Sequence, residues 1–196
     1  MNTKELIKDF KEEAKIIKRK GVKELIEWLE TTDFFKSPAS TKYHGAFDGG
    51  LVLHCLSVLD AAIELKDFTK VDLEDESIAI CALFHDICKA DFYTMEMRNK
   101  KIDGKWVEVP FRTVKDKFPM GHGEKSVFLI QKFMELTDEE ALTIRWHMGM
   151  SDPGCHFNYP SGASCNQAFR QNKLLPLICA ADLAASYLLE EWEEEK

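Results

Sequence analysis

The sequence predicts an all-α bundle carrying one small β-hairpin. Three observations lead there. Apolar residues recur at helical spacing along most of the chain. Capping boxes, a short polar residue with Glu three positions on, stand at Asn2–Glu5 and Thr137–Glu140. One stretch, Lys101-Ile102-Asp103-Gly104-Lys105-Trp106-Val107, sets an Asp-Gly turn between strand-like flanks. Of 196 residues 45% are hydrophobic and 31% charged, which suits one packed core and rules out a disordered chain.

Each element has its own signal. Leu6, Ile7, Phe10, Ala14 and Ile17 form the first stripe; Gly21 interrupts it, and Val22, Leu25, Ile26 and Leu29 form a short second one. Residues 31–48 read as loop, broken by Ser37-Pro38. Gly49 and Gly50 open a helix to about Leu65, with Leu51, His54, Cys55, Val58 and Ala62 on one face. A further helix is expected from about Glu74 to Cys88, aligning Ile78, Ala82, His85, Asp86 and Lys89. Residues 92–113 are the expected hairpin, followed by loop to Gly123. Helices resume over about Glu124 to Met134 and after Thr137, through Ala141, Leu142, Ile144, Arg145 and His147. Residues 149–165, with their Gly, Pro, Ser and Asn, read as loop. A last long helix is expected from Leu174 to about Glu193, Pro176 being tolerated in its first turn. Its acidic end, from Glu190, reads as a solvated, fraying terminus. The expected organisation is a helical extension, 1–36, packed on a bundle of residues 37–196.

Charge and cysteines narrow the function. With 26 Lys+Arg against 34 Asp+Glu the net charge is −8, which disfavours a long nucleic-acid track. Residues 1–20 are charged throughout, without the apolar core of a secretory leader, and no apolar run approaches the roughly 18 residues of a membrane span. No cysteine pair has Cys-x-x-Cys spacing, and Cys155, His156 and Cys165 are spaced irregularly for zinc. The expectation is a cytoplasmic chain, off the membrane, with six reduced and mostly buried thiols.

The chemistry lies where His and Asp interrupt apolar helices. His54 sits inside Leu51-Val-Leu-His-Cys-Leu56, His85-Asp86 inside Ile78-Ala-Ile-Cys-Ala-Leu-Phe-His-Asp-Ile87, and Asp182 inside Leu177-Ile-Cys-Ala-Ala-Asp-Leu183. Any one of these alone is most simply a satisfied core group. Three such sites call for one explanation, because an ionised Asp in an apolar setting is costly unless a cation or donors satisfy it. A shared ion supplies that explanation, and two imidazoles with two carboxylates suit Mn²⁺, Fe²⁺, Ni²⁺ or Zn²⁺.

The order His54 … His85-Asp86 … Asp182 resembles the HD superfamily of metal-dependent phosphohydrolases. His85-Asp86-Ile87-Cys88-Lys89 is similar to that family's His-Asp-Ile-Gly-Lys, with Cys88 where Gly is usual. The stretch from Tyr43 through His44 and Gly49-Gly50 to His54 resembles the HD domains of bacterial 3′-to-5′ exoribonucleases. The resemblance implies an all-α HD-domain bundle, His54, His85, Asp86 and Asp182 as metal ligands, and one or two divalent ions (Mn, Fe, Ni, Zn or Mg). It also implies that His122 and His147 ligate a second ion or hold a phosphate, with Asp86 between two ions. Read without it, His122 is a loop residue and His147 a helix-end cap. The implied activity is hydrolysis of a phosphoester in a nucleotide or short oligonucleotide; a catalytically silent nucleotide sensor is the second reading. Lys89, three residues past Asp86, would act with it in catalysis by neutralising phosphoryl charge. His44 is a further candidate phosphate contact, and Arg145 a weaker one because it lies nearly opposite His147 on a helix. Asp86 and the histidines remain open as general base. The hairpin region sets Arg98, Lys100, Lys101, Lys105, Arg112, Lys115 and Lys117 among Tyr93, Trp106, Phe111 and Phe118, a mix suited to nucleotides. Asp91, Glu96, Asp103, Glu108 and Asp116 offset most of that charge. Most of these residues read as an ordinary two-faced hairpin packed on the bundle, and the insert is expected to overhang the site.

Overall fold

The computed structural model describes residues 3–156 and 160–190. The capping box at Asn2 and the tail beyond Glu190 lie outside them. Among the described residues eight α-helices follow in order: α1 Thr3–Glu13, α2 Val22–Thr31, α3 Gly50–Thr69, α4 Asp75–Phe84, α5 His122–Gln131, α6 Asp138–Trp146, α7 Pro160–Gln171 and α8 Leu174–Ala184. Between α4 and α5 stand β1 Tyr93–Ile102 and β2 Lys105–Val114, paired antiparallel from Tyr93↔Val114 to Ile102↔Lys105 about the Asp103-Gly104 turn.

Helices α3 and α4 are the centre. Leu51, Val52, Cys55 and Val58 of α3 and Ile78 to Phe84 of α4 are buried, and α8 packs across α3. Leu6, Phe10, Leu25 and Leu29 of the N-terminal segment belong to the same core. Phe10 meets Phe34, Phe35 and Phe84 edge-on, at centroid separations of 5.7, 5.5 and 6.0 Å. Arg19 reaches the wholly buried Glu140 at the start of α6, whose carboxylate also takes the Ser77 hydroxyl (2.7 Å) and the Thr137 N–H (2.9 Å). The Thr137 capping box therefore forms, and the same carboxylate ties the N-terminal segment to the bundle.

Several expectations are corrected. Helix α4 stops at His85, and Asp86 leaves the helical region (φ −108°, ψ 17°), so Lys89 comes from a separate 3₁₀ turn, Ile87–Lys89. The stretch read as loop over 149–165 holds two 3₁₀ turns and the start of α7; its Pro160 falls at a helix start, where proline is tolerated. The last helix does not run on to Glu193: α8 passes into a π turn, Ala185–Leu189, and Glu190 is extended and buried. Cys155 and Cys165 form a disulfide rather than standing reduced. The turn at Pro153-Gly154 and the returning α7 bring their Cα atoms to 5.3 Å, within bridging range, and no thiolate is left there for zinc. Cys55, Cys81, Cys88 and Cys179 are free, the first three buried. The hairpin reaches the body with its base only. By strand rise its tip, with Lys101, Lys105 and Trp106, stands on the order of 25 Å from Tyr93. Among the described residues no single helix is long and apolar enough to cross a membrane.

Candidate metal centre

Six side chains from five segments converge at the carboxyl end of α4. His85 and His147 arrive by the same local device. Each caps the C-terminus of its helix, α4 or α6, and each turns Nδ1–H back onto the carbonyl three residues earlier, Ala82 (2.9 Å) or Ile144 (2.7 Å). Those carbonyls are among the four that a helix end leaves without partners. With Nδ1 protonated, the lone pair is on Nε2, which faces the cluster.

His54 comes from the middle of α3, with Nδ1 held by Glu190 Oε1 at 2.9 Å and Nε2 3.2 Å from Asp182 Oδ1 and 3.3 Å from His85 Nε2. His122 opens α5, its Nδ1 3.3 Å from Cys88 Sγ. Gly123 makes this position possible: a Cβ there would lie 2.2 Å from the Arg145 carbonyl oxygen, so α5 and α6 can touch and set His122 beside His147, ring centroids 5.0 Å apart. All four rings thus engage Nδ1 outside the cluster and aim Nε2 into it, the way outer partners orient metal-binding imidazoles.

Asp86 stands between two subsets. Its Oδ2 faces Lys89 (2.6 Å), His85 (3.5 Å) and His54 (3.9 Å); its Oδ1 faces His122 (2.8 Å) and His147 (3.7 Å). His122 and Asp86 stand at ion-pair distance, while Asp86 Oδ1 and the Nε2 atoms of His122 and His147 are buried without a well-formed hydrogen bond. Buried polar atoms converging without hydrogen-bond partners are what a cation would satisfy, displacing the protons that the imidazoles otherwise hold. The donor set fits: imidazole nitrogens mixed with carboxylate oxygens suit Zn²⁺, Mn²⁺, Fe²⁺ or Ni²⁺, and Mg²⁺, which prefers oxygen, is the poorer match.

The charges are strongly coupled. Burial alone would push the His54 imidazolium down, but the Asp182 and Glu190 carboxylates hold it up at about 9. His122 is likewise held at about 10 against burial, by Cys88 and Asp86. His147, buried and facing His85 and His122, falls to about 3. Both Asp86 and Asp182 stay ionised despite burial, Asp86 through Lys89 and the surrounding histidines and Asp182 through His54.

A cavity of about 660 Å³ opens on the cluster and is lined by His44, His54, Asp86, Lys89, His122, His147 and Asp182, while His85 lies wholly buried behind it. Lys89 donates to Asp86 and to the Ala39 carbonyl (2.8 Å). His44 stands at the rim, its ring 5.0 Å from that of His54 and its Nε2 3.4 Å from the Ser186 hydroxyl. Arg145 does not join them. It faces the other side of α6, bound to Glu124 and Asp152 (both 2.6 Å) and stacked on Trp146. Of the hairpin, Tyr93 and Val114 at its base reach the cavity wall. A larger groove, about 750 Å³ beside Arg19 and Lys132, lies away from these groups.

Sequence reasoning missed two residues. Glu190 was hidden in an acidic run, and only the π turn, closed by Glu190 N–H donating to Ala185 O at 3.0 Å, swings it onto His54. Cys88 carried a signal, as the departure from Gly in the His-Asp-Ile-Gly-Lys string, and it holds His122.

No curated protein and no solved structure matches the chain. Among protein families, the HD domain matches residues 51–185, more than half of the chain and a span that takes in all six converging side chains. With that match, the paired His85-Asp86 at the end of α4 and the helical bundle around it, the chain belongs to the HD superfamily of metal-dependent phosphohydrolases.

Proposed function

We propose that the chain hydrolyses a phosphoester bond of a nucleotide or short oligonucleotide, using water activated at the His/Asp cluster. The observation that carries this reading is the common aim of four Nε2 atoms and two carboxylates, each imidazole held from behind. When bound, a divalent cation supplies Lewis-acid chemistry, lowering the pKa of water and drawing charge from a phosphoryl group. His54, His85, Asp86 and Asp182 would hold it, and His122 and His147, beside Asp86, would complete a second position or meet the phosphate.

Lys89 keeps its proton, since Asp86 holds its pKa well above the usual lysine value against burial. An ammonium has three N–H donors. Asp86 and Ala39 take two, and the third serves a phosphoryl oxygen as negative charge develops. His44, at the rim, is placed to meet the same group. The complete donor set supports catalysis over the silent sensor.

The test is metal analysis of the purified chain, together with a panel of nucleotides and short single strands assayed with added Mn²⁺. Asp86→Ala is expected to lose both the metal and the hydrolysis. Unchanged metal content in that variant would overturn the site assignment.

A further inference from the structure

We infer that the cavity takes a substrate with a single phosphoryl group on an uncharged, planar body, a nucleoside monophosphate or an ester of one, and discriminates against nucleoside polyphosphates. The inference rests on the phosphohydrolase reading and narrows its substrate.

The cavity lining is of two unlike kinds. One is the His/Asp cluster with Lys89. The other includes Met148, Met150, Phe169, Pro176, Leu183 and Tyr187, none of them charged. Thioether, phenyl and aliphatic groups suit the face of a planar base. Leu183 and Tyr187 are 61% and 62% exposed, an apolar surface that an incoming ligand would cover. The volume of about 660 Å³ accommodates a nucleoside-sized body.

The decisive feature is the count of positive charge outside the His/Asp cluster. Among the described residues lining the cavity, Lys89 is the only Lys or Arg, and half of its work is done on Asp86. The nearby arginines are committed elsewhere. Arg112 binds Asp48 (2.7 Å) and the Ala46 carbonyl (3.3 Å), and Arg145 binds Glu124 and Asp152. Polyphosphate sites recruit several cationic groups along the phosphate chain. Here, a terminal phosphoryl at the cluster would leave the other phosphates among methionine, phenylalanine, leucine and neutral hydroxyls, with no further Lys or Arg to pair them. A monophosphate sets its one charged group at the cluster and its base on the apolar wall.

The reaction balances without a further reactant. A water oxygen bonds to phosphorus, the P–O ester bond breaks, and its electron pair stays on the leaving oxygen, which takes up a proton. A monophosphate then yields nucleoside and inorganic phosphate; a dinucleotide yields nucleoside and nucleotide.

The test compares deoxyadenosine 5′-monophosphate, 5′-diphosphate and 5′-triphosphate and a dinucleotide of two deoxyadenosines joined by one 3′–5′ phosphodiester on the Mn²⁺-loaded full chain. Hydrolysis is read by product chromatography, and binding by calorimetry with a phosphorothioate monophosphate and a methylene-bridged triphosphate. The monophosphate or the dinucleotide is expected to exceed the triphosphate in kcat/KM by roughly 100-fold. Which of the two is cleaved tells the monoester from the diester. Leu183→Lys, which adds a cation to the apolar wall, is expected to shift the triphosphate-to-monophosphate ratio upward by about tenfold. A triphosphate turned over or bound as well as the monophosphate would overturn the inference, as would a ratio unmoved by Leu183→Lys. If the metal-loaded chain binds but hydrolyses nothing, the phosphohydrolase reading fails, and the binding ratio still decides the class of ligand.

Discussion

A single side chain at the far end of the described sequence shows how the cluster is held. Glu190 holds Nδ1 of His54 and so orients its ring, and its removal should be felt as lost metal affinity before it is felt as lost fold. Glu190→Ala is expected to weaken Mn²⁺ or Zn²⁺ binding by about 10- to 100-fold, as for other outer partners of metal-ligating histidines, with Glu190→Gln falling between. Competition with a coloured chelator measures this, and unchanged affinity in a folded variant would remove Glu190 from the site. At this scale the sequence was informative where ionisable residues interrupted apolar strings. His54, His85, Asp86 and Asp182 stood out because such positions are costly to fill without compensation. Glu190 did not, because one acid among five has nothing local to mark it, and its burial is decided by a contact 136 residues away. Arg145 was placed by spacing alone, and its ion pairs with Glu124 and Asp152 could not be read from spacing.

Elements show which local signals carry through to the fold. The Asp-Gly turn placed the hairpin within a residue at each end, because that turn type admits few others; Asp103 and Gly104 both have positive φ. Helix α7 was missed because Gly, Pro, Ser and Asn signal loop on average, while packing of Cys165 and Ala168 beneath Trp146 makes the segment helical. The crossing of α5 and α6 leads to a second prediction. Gly123→Ala puts a methyl on the Arg145 carbonyl, and is expected to cost about 1–3 kcal/mol by overpacking and to separate His122 from His147. Chemical denaturation and metal affinity should both respond; a change in neither would show that the crossing has slack. A third concerns the link from Arg19 to Glu140. Burial alone would raise the Glu140 carboxyl, but the Arg19 guanidinium, the Thr137 N–H and the Ser77 hydroxyl hold it below its ordinary 4.5. The folded state therefore binds that proton less tightly than the unfolded chain, so the contribution is complete above pH 4.5 and lost as pH falls through the lower folded value. Glu140→Gln should flatten the acid limb of the stability curve. Glu140→Ala should cost about 3 kcal/mol, the low end for breaking a buried pair, because Arg19 keeps some contact with water.

For the molecule as a whole, the bundle and the cluster are one object. The six converging side chains come from positions 54 to 182, so an ion bound there is held only by the folded chain. Metal at 100 times its dissociation constant is expected to stabilise the fold by about 2.7 kcal/mol, raising Tm by roughly 5–10 °C over the chelator-stripped chain. Equal melting temperatures would count against a resident ion. The net charge of −8 reads differently beside the cavity, whose lining holds the cluster's two aspartates, Lys89 and a set of apolar side chains rather than the acidic surface sum. The hairpin carries a consequence of another kind. A ribbon of two strands has both outer edges open, and open edges invite pairing with another chain. Here β2 carries Pro110, which cannot donate, and Glu96, Lys100, Lys101 and Glu108 stud the exposed strands with charge. The arm is thereby protected against growing into a larger sheet, and replacing those four charges by threonine is expected to turn a soluble projection into a seed for aggregation as protein concentration rises.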